Sequence, residues 1–243
     1  MTNRIYFGDT LNILETRIAD NSVNLIYVKP PPNTKTAKQQ PVEDHLDFLA
    51  PLLRQAHRVL AANGVLYFHS DYREVHDCRL LLDDIFGPSN FLNEIIWAYE
   101  TGAAEQPADR WPAKHDNILL YGKDSSDYTF NTEGIRIPYM APGLVGPEKA
   151  SRGKIPTDTW WDTQLSATGV IDRIIMASSN PGEVVLDFFA GSGVTGESCL
   201  NLKEPRHFIL IENTLEAMKR MAQKFAGADV EWIGFDLTPL QQG

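Results

Sequence analysis

The segment with the clearest chemistry is a glycine-rich turn that follows an apolar strand and precedes a predicted helix. It reads Val184-Val-Leu-Asp-Phe-Phe-Ala-Gly-Ser-Gly-Val-Thr-Gly196, and the strand ends at Asp187. Glycines let the backbone turn sharply and let a ligand approach it closely. The next apolar run ends at Glu212, whose carboxylate can accept hydrogen bonds from ribose hydroxyls. These features predict a nucleoside-containing ligand at the ends of two strands.

The same glycines, Gly191, Gly193 and Gly196, also fit the dinucleotide fingerprint G-x-G-x-x-G. Two features disfavour a nicotinamide cofactor. Only about thirty residues follow Glu212, whereas a dinucleotide fold continues through several more strands. Asp187 precedes the turn, where a carboxylate would repel a pyrophosphate but attract the ammonium group of a methionine moiety. A P-loop is excluded because no Gly-Lys-Ser/Thr follows, and a turn used only for packing is the non-functional alternative.

A second segment carries an apolar strand into three consecutive prolines. It reads Asn24-Leu-Ile-Tyr-Val-Lys-Pro-Pro-Pro-Asn-Thr34. Prolines end the strand and stiffen the loop at the carboxyl edge of the sheet, which is where ligands bind in open α/β folds. Taken alone, the segment is equally consistent with a rigid surface turn.

Seven apolar runs predict the strands that position these loops, namely 4–7, 23–28, 64–69, 91–97, 117–121, 184–187 and 208–211. Most runs are continuous, as in strands that are covered on both faces. Helical patterns lie between several of them, and this alternation predicts an α/β fold with an open, largely parallel sheet. Runs 91–97 and 117–121 have no helix between them, so we expect them to pair antiparallel at one edge.

The helical patterns give more detailed expectations. Pro51 predicts that the second helix begins near it. Asp71 and Glu74 are spaced as a capping box before the third helix. In the last helix the methionines are expected to lie in the core, and Gly227 to end the helix.

Composition bounds the environment of the chain. The net charge of −10 argues against indiscriminate nucleic-acid binding, although basic residues are clustered in two places. The clusters, which hint at a phosphate-facing side, are Lys29, Lys35 and Lys38, and Lys114, Lys123, Arg136, Lys149, Arg152 and Lys154. No apolar run approaches the ~20 residues of a membrane span. Two cysteines and no signal-peptide pattern favour a reduced, cytoplasmic protein, and no metal site is expected.

Taken in order, the motifs resemble the amino-methyltransferases of DNA in the circularly permuted arrangement called the beta class. In that family a Gly-Asp strand end is followed by Asp-Pro-Pro-Tyr/Phe, then by a target-recognition insert and finally by the glycine cofactor loop. The matching segments are Phe7-Gly8-Asp9, Pro30-Pro31, Asn33-Thr34, Trp97, His115-Asp116, Trp160-Trp161-Asp162, Arg173-Ile174-Ile175, Asn180-Pro181-Gly182 and 187–193. The resemblance covers nearly the whole chain.

The resemblance implies a Rossmann-like, permuted methyltransferase sheet formed by residues 1–128 and 167–243. Residues 129–166 would form an irregular insert that recognises the target. The implied cofactor is S-adenosylmethionine, with Glu212 on its ribose and Asp9 near its adenine. The implied cofactor-binding set is Asp9, Asp187, Phe188, Ala190, Gly191, Gly193, Thr195, Glu212 and Asn213. The implied reaction is methyl transfer to N6 of an adenine flipped out of double-stranded DNA, and a homodimer is left open because the family often pairs.

The implied catalytic loop is Lys29, Pro30, Pro31 and Pro32, and it departs from the family at two positions. Lys29 stands where the family has an aspartate that accepts a hydrogen bond from the target amine, and an ammonium has no acceptor. Pro32 stands where the family has an aromatic ring that stacks on the base. The family's Thr-Gln-Lys-Pro motif is also incomplete, because only Thr163-Gln164 is present.

Three hypotheses follow. The first is a DNA adenine methyltransferase, either active or disabled by Lys29 and Pro32. The second is a non-catalytic DNA-binding or regulatory protein, in which Lys29 contacts an anion. The third is a methyltransferase that acts on cytosine N4, on RNA or on a small molecule, with Trp111, Tyr139, Trp160 and Trp161 either contacting a polymer or packing the insert.

Overall fold

The computed structural model describes residues 2–33, 42–99, 109, 111–161 and 167–238. The strands are β1 (Asn3–Phe7), β2 (Val23–Val28), β3 (Leu60–Asp71), β4 (Phe91–Ala98), β5 (His115–Gly122), β6 (Thr159–Trp160), β7 (Val184–Asp187), β8 (His207–Glu212) and β9 (Val230–Ile233). The helices are α1 (Thr10–Arg17), α2 (Val42–Val59), α3 (Val75–Phe86), α4 (Pro147–Arg152), α5 (Ala167–Ser178), α6 (Val194–Asn201) and α7 (Leu215–Lys224).

The nine strands form one sheet in the order β6-β4-β5-β3-β2-β7-β8-β1-β9. β5 is antiparallel to both of its neighbours, and all other pairings are parallel. Eight strands therefore run in one direction, and their carboxyl ends lie along the same edge. The predicted antiparallel pairing of β4 with β5 is confirmed, and it lies one strand in from the edge because β6 pairs outside β4.

The sheet is covered on both faces, which explains why its strands are continuous apolar runs. One buried cluster joins the sheet to α1, α2 and α3, and the other joins it to α5, α6 and α7. The chain changes from one face to the other where β2 lies beside β7. In open α/β sheets such a switch point opens a crevice at the carboxyl ends of the strands.

Two helix predictions are wrong. Pro51 lies inside α2 rather than at its start. Leu49, Leu52 and Leu53 are buried on both sides of it, and their burial outweighs the ~3 kcal/mol that an interior proline costs a helix. The capping box before α3 does not form, because Glu74 makes no cap hydrogen bond and instead accepts one from the backbone N–H of Asn33.

The core position predicted for the methionines of the last helix is confirmed. Met218 and Met221 of α7 are buried in the core. Residues 129–161, the described part of the predicted insert, contain α4 and β6 and an antiparallel bridge between Ile137 and Lys154. Within the described ranges, no helix is both long and apolar enough to cross a membrane.

Candidate active site

Asp187 lies at the carboxyl end of β7, directly before the glycine turn. The Thr195 hydroxyl donates a hydrogen bond of 2.6 Å to its Oδ2, and the Phe189 N–H donates one of 3.0 Å to its Oδ1. The residue is only 4% exposed. Burial raises the pKa of Asp187 to about 6, and the nearby charge of Glu212 acts in the same direction. Each oxygen keeps one lone pair, so this carboxylate can take up a cationic partner.

The glycine turn has a conformation that other residues would disturb. Gly193 has a φ of +75°, and an added Cβ would lie 2.8 Å from Cε2 of Phe225 and 2.9 Å from Cγ of Met221. Gly191 has a φ of +52°, but an added Cβ would contact only the carbonyl oxygen of Phe189, at 4.0 Å. Glycine is therefore required at position 193 by both backbone and packing, and the open side of Gly191 leaves the backbone accessible to a ligand.

Glu212 ends β8 and binds the turn. Its Oε2 accepts a hydrogen bond of 2.9 Å from the Gly191 N–H. Its Oε1 accepts from the backbone N–H groups of Asn213 and Thr214 and from the Thr214 hydroxyl, at 3.0, 2.8 and 2.8 Å. Oε1 is fully used, whereas Oε2 retains a lone pair that can accept from one hydroxyl.

A cavity of about 230 Å³ lies near the carboxyl ends of β1, β7 and β8, since Asp9, Phe189 and Asn213 all line it. It is lined by Asp9, Thr10, Leu11, Phe48, Pro51, Leu52, Phe189 and Asn213. Asp9 also caps α1, because its Oδ1 accepts a hydrogen bond of 2.8 Å from the Asn12 N–H. A mostly apolar wall with an acid and an amide at its rim suits a planar, weakly polar ring system.

Of the predicted cofactor residues, Asp9 and Asn213 line the cavity, and hydrogen bonds of the glycine turn join Asp187 to Thr195 and Glu212 to Gly191. Ala190 supplies backbone to the turn, where its N–H donates to the Ile211 carbonyl at 3.2 Å. Phe188 has its side chain in the core, so only its backbone can contact a ligand. Phe189, which was not among the predicted residues, lines the cavity together with the ring of Phe48. The sequence could have indicated this role, because Phe189 directly follows Phe188 and its side chain is expected on the opposite side of the chain.

The proline loop follows β2 at the same edge. Pro30 is buried, Pro31 is exposed and Pro32 is half-buried. Lys29 Nζ donates a hydrogen bond of 2.8 Å to Oδ2 of Asp116, which lies near the start of β5. Thr34, together with Lys35 and Lys38, lies outside the described residues.

Asp116 is the centre of a polar network that sequence reasoning missed. His69 Nε2 lies 2.9 Å from its Oδ2, and Tyr99 OH donates to its Oδ1 at 3.1 Å. His69 Nδ1 lies 2.8 Å from the hydroxyl of Tyr27. Burial lowers the pKa of His69, so the neutral ring can accept from Tyr27 and donate to Asp116.

Asp116 itself is held as an anion. Burial acts to raise its pKa, but hydrogen bonds from His69 and Lys29 outweigh burial and hold the pKa well below its usual range. The network joins the ends of four adjacent strands. Tyr27 and His69 are 42 positions apart along the chain, and His69 and Asp116 are 47 positions apart. Only the strand order of the sheet places them together.

The basic residues and the tryptophans that are candidates for contact with a polymer differ in burial and in pairing. Arg136 and Arg152 both pair with Glu133, and Lys123 donates to the Leu60 carbonyl. Trp160 is buried under the guanidinium of Arg173, 4.8 Å from its ring centroid. The tryptophans exposed to solvent are Trp111 and Trp161. Asp162 and Thr163-Gln164 lie outside the described residues.

Two methyltransferases are similar to this chain in sequence. The type II methyltransferase M.BglII of Bacillus subtilis is 29% identical over 231 residues, which are 82% of this chain and 63% of that protein. The chain thus matches just under two thirds of the length of M.BglII. The DNA adenine methyltransferase YhdJ of Escherichia coli (strain K12) is 28% identical over 241 residues, which are 88% of this chain and 80% of YhdJ.

Solved structures share the fold. TTHA0409 of Thermus thermophilus, described as a DNA modification methylase and solved with S-adenosyl-L-methionine, superposes with a TM-score of 0.67 at 22% identity, covering 95% of this chain and 99% of that one. The cytosine-N4-specific PvuII DNA methyltransferase superposes with a TM-score of 0.70 at 16% identity, covering 100% and 91%.

The glycine turn, the proline loop and the strands between them all fall within one family match. The model of the DNA methylase family, which groups the N6 and N4 enzymes, matches residues 23–224. That range runs from the start of β2 through the turn after β7 to the last residue of α7. Since it covers most of the chain, this protein belongs to the N6/N4 DNA methylase family.

Proposed function

We propose that this chain binds S-adenosylmethionine and transfers its methyl group to the exocyclic amine of a base in double-stranded DNA, with N6 of adenine as the target. The observation that carries the proposal is the pair of carboxylates, Asp187 and Glu212, at the ends of adjacent strands, with both side chains hydrogen-bonded to the glycine turn. Family membership supports the reaction class. The name of YhdJ, a DNA adenine methyltransferase, supports adenine as the base.

The crevice residues fit the proposed cofactor. Asp187 has a free lone pair on each oxygen for the ammonium of the aminoacyl group, and Oε2 of Glu212 has one for a ribose hydroxyl. The cavity beside Asp9, Phe189 and Asn213 would take the adenine. When bound, S-adenosylmethionine supplies an electrophilic methyl group on a sulfonium centre, which an amine can take up with loss of one proton.

The described part of the insert, 129–161, is the proposed target-recognition region. Its most exposed large apolar side chains are Met140, Leu144 and Trp161. Trp161 follows β6 at the carboxyl edge of the sheet, the same edge as the proline loop. This placement supports contact between the insert and a DNA strand whose base enters the crevice.

A second candidate is a DNA-binding homologue with little or no turnover. The Lys29–Asp116 ion pair favours it, because a lysine at this position offers a positive charge and no acceptor. DNA binding that weakens with salt, without any methyl transfer, would support it. Pairing of two subunits also stays a proposal, to be measured by analytical ultracentrifugation.

Calorimetric titration with S-adenosylmethionine tests the proposed cofactor site. The expected result is one site per chain, with binding about tenfold weaker in Glu212→Gln, because one charge-assisted hydrogen bond is lost. Glu216→Gln on the exposed face of α7 is the matched control and should bind like the unaltered chain. Absence of binding in the unaltered chain would refute the cofactor assignment.

The affinity for S-adenosylmethionine is expected to depend on pH through Asp187. Because the pKa of Asp187 is raised to about 6, the side chain is largely protonated at pH 5 and loses its attraction for an ammonium group. Affinity should therefore rise from pH 5 to about 7 and then level off. The stability of the ligand-free protein should change in the opposite sense, since a folded-state pKa above the unfolded value of ~3.9 contributes stability that is lost as pH rises through 6.

Calorimetry and thermal denaturation at several pH values measure both profiles. Asp187→Asn removes the titrating group and should flatten both of them. A pH-independent affinity in the unaltered chain would show that Asp187 does not contact a cationic part of the ligand.

A further inference from the structure

The Lys29 ammonium and the Asp116 carboxylate meet beside an aromatic wall. Lys29 Nζ is 2.8 Å from Oδ2 of Asp116 and 6.0 Å from the ring centroid of Trp97. Trp97 is fixed in turn by edge contacts with His69 and Tyr99, at centroid distances of 5.6 and 5.4 Å. An amine of this chain thus lies beside one anionic acceptor and one aromatic ring.

The acceptor is preorganised without Lys29. His69 and Tyr99 approach Asp116 from the neighbouring strands, and the hydroxyl of Tyr27 holds His69 from its other nitrogen. The side chain of Asp116 is 13% exposed, whereas that of Lys29 is 49% exposed. The carboxylate belongs to the framework, while the lysine is a long, solvated side chain that can leave at little cost.

We propose that Asp116 and Trp97 form a subsite for the exocyclic amine of the substrate, and that Lys29 fills this subsite in the resting protein as an intramolecular competitor. The identity of the substrate rests on the proposed function. An N–H of a base amine would replace the N–H of Lys29 on Oδ2 of Asp116, and the ring of Trp97 would supply an aromatic surface that Pro32 lacks.

The subsite gives the chain a side-chain acceptor that its proline loop does not contain. The ammonium at position 29 donates only, so a target amine on the loop side meets no side-chain acceptor there. Asp116 is an anion, and its Oδ2 accepts a hydrogen bond from Lys29, which a substrate amine can replace. A tethered ligand competes at high effective concentration, so the lysine would reduce occupancy by substrate without altering the framework.

The subsite is tested without cofactor or DNA by titrating propylammonium chloride into full-length Lys29→Ala. The indole N–H signal of Trp97 in the nitrogen-correlated NMR spectrum, assigned with Trp97→Phe, is the readout. We expect a saturable shift at millimolar concentrations in Lys29→Ala. No shift is expected in the unaltered chain, because Lys29 occupies the subsite there. In Lys29→Ala/Asp116→Asn binding should be about tenfold weaker or lost, because a charge-assisted hydrogen bond is removed.

Two controls make this result decisive. Tetramethylammonium chloride carries the charge but no N–H, so it should not saturate the subsite. This comparison leaves Asp116 unchanged. Lys219→Ala removes an exposed lysine of α7 and should respond like the unaltered chain. No saturable shift in Lys29→Ala, or an equal response to both cations, would show that Lys29–Asp116 is only a structural ion pair.

Methyl transfer gives an independent measure. Radiolabelled transfer to duplex DNA should increase about tenfold in Lys29→Met, which keeps an unbranched side chain of nearly the same length but removes the competing charge. Asp116→Asn should cancel the gain. Calorimetry with S-adenosylmethionine on the same variants separates the two proposals. If cofactor fails to bind, the proposed function is wrong; if it binds and Lys29→Met gives no gain, the amine subsite is wrong.

Discussion

Replacing Gly193 with alanine is expected to lower the free energy of unfolding by about 2–5 kcal/mol and to abolish binding of S-adenosylmethionine. The left-handed backbone at a φ of +75° costs a residue with a Cβ about 1–2 kcal/mol. The added Cβ would lie 2.8 Å from Phe225 and 2.9 Å from Met221, both buried in the core, and such overpacking typically costs about 1–3 kcal/mol. Relief of the clash would move α6 or α7 and displace the turn that Glu212 and Asp187 hold.

Gly227→Ala isolates the backbone contribution. Its φ is +82°, and an added Cβ there meets nothing within 4 Å, so the loss should be only about 1–2 kcal/mol, with cofactor binding unchanged. Urea denaturation and calorimetry measure both effects. Equal destabilisation by the two variants would mean that the contacts with Phe225 and Met221 adjust freely, and that packing does not require glycine at the turn.

The sheet could be predicted well from the sequence where burial is uniform. β2 and β7 have the predicted bounds, because both are covered on both faces and end at a sharp chemical boundary, a lysine before prolines and an aspartate before glycines. The two-residue β6 has too few residues for a periodic pattern, and it forms only because β4 offers it a partner. The half-buried β9 was missed for a related reason, since its residues are held by β1 rather than by a strong apolar run.

The geometry of the side of the crevice that we propose binds the cofactor could also be predicted, because its residues lie within short segments. Asp187, Gly191, Gly193 and Thr195 belong to one turn, and Glu212 ends the next strand. The geometry around Asp116, on the side proposed to receive the target base, could not be predicted. His69, Tyr27 and Tyr99 converge on Asp116 from separate strands, and their spacing along the chain carries no signal until the strand order is known. The spacing of His69 from other polar residues in the sequence indicates no role. In the structure it is buried between Tyr27 and Asp116, and it positions Asp116.

Restoring an acceptor and a ring in the proline loop is expected to give the largest gain in activity. Lys29→Asp with Pro32→Phe should increase methyl transfer to duplex DNA by about two to four powers of ten. The carboxylate adds a charge-assisted hydrogen bond to the amine, about 1.5–3 kcal/mol, and a ring that stacks on the base adds about 1–3 kcal/mol. Loss of the Lys29–Asp116 ion pair costs little by comparison, because half of the Lys29 side chain is exposed.

The matched control is Lys29→Met with Pro32→Phe, which provides the ring and removes the competing ammonium but adds no acceptor at position 29. Initial rates with labelled cofactor, measured under saturating cofactor for both double variants, separate the two contributions. A higher rate for the aspartate variant assigns the difference to the new carboxylate, whereas equal rates would mean that Asp116 alone accepts the amine. If both variants bind S-adenosylmethionine and neither transfers methyl groups, the enzymatic proposal fails, and a DNA-binding role with the ammonium of Lys29 exposed to an anion becomes the better account of this loop.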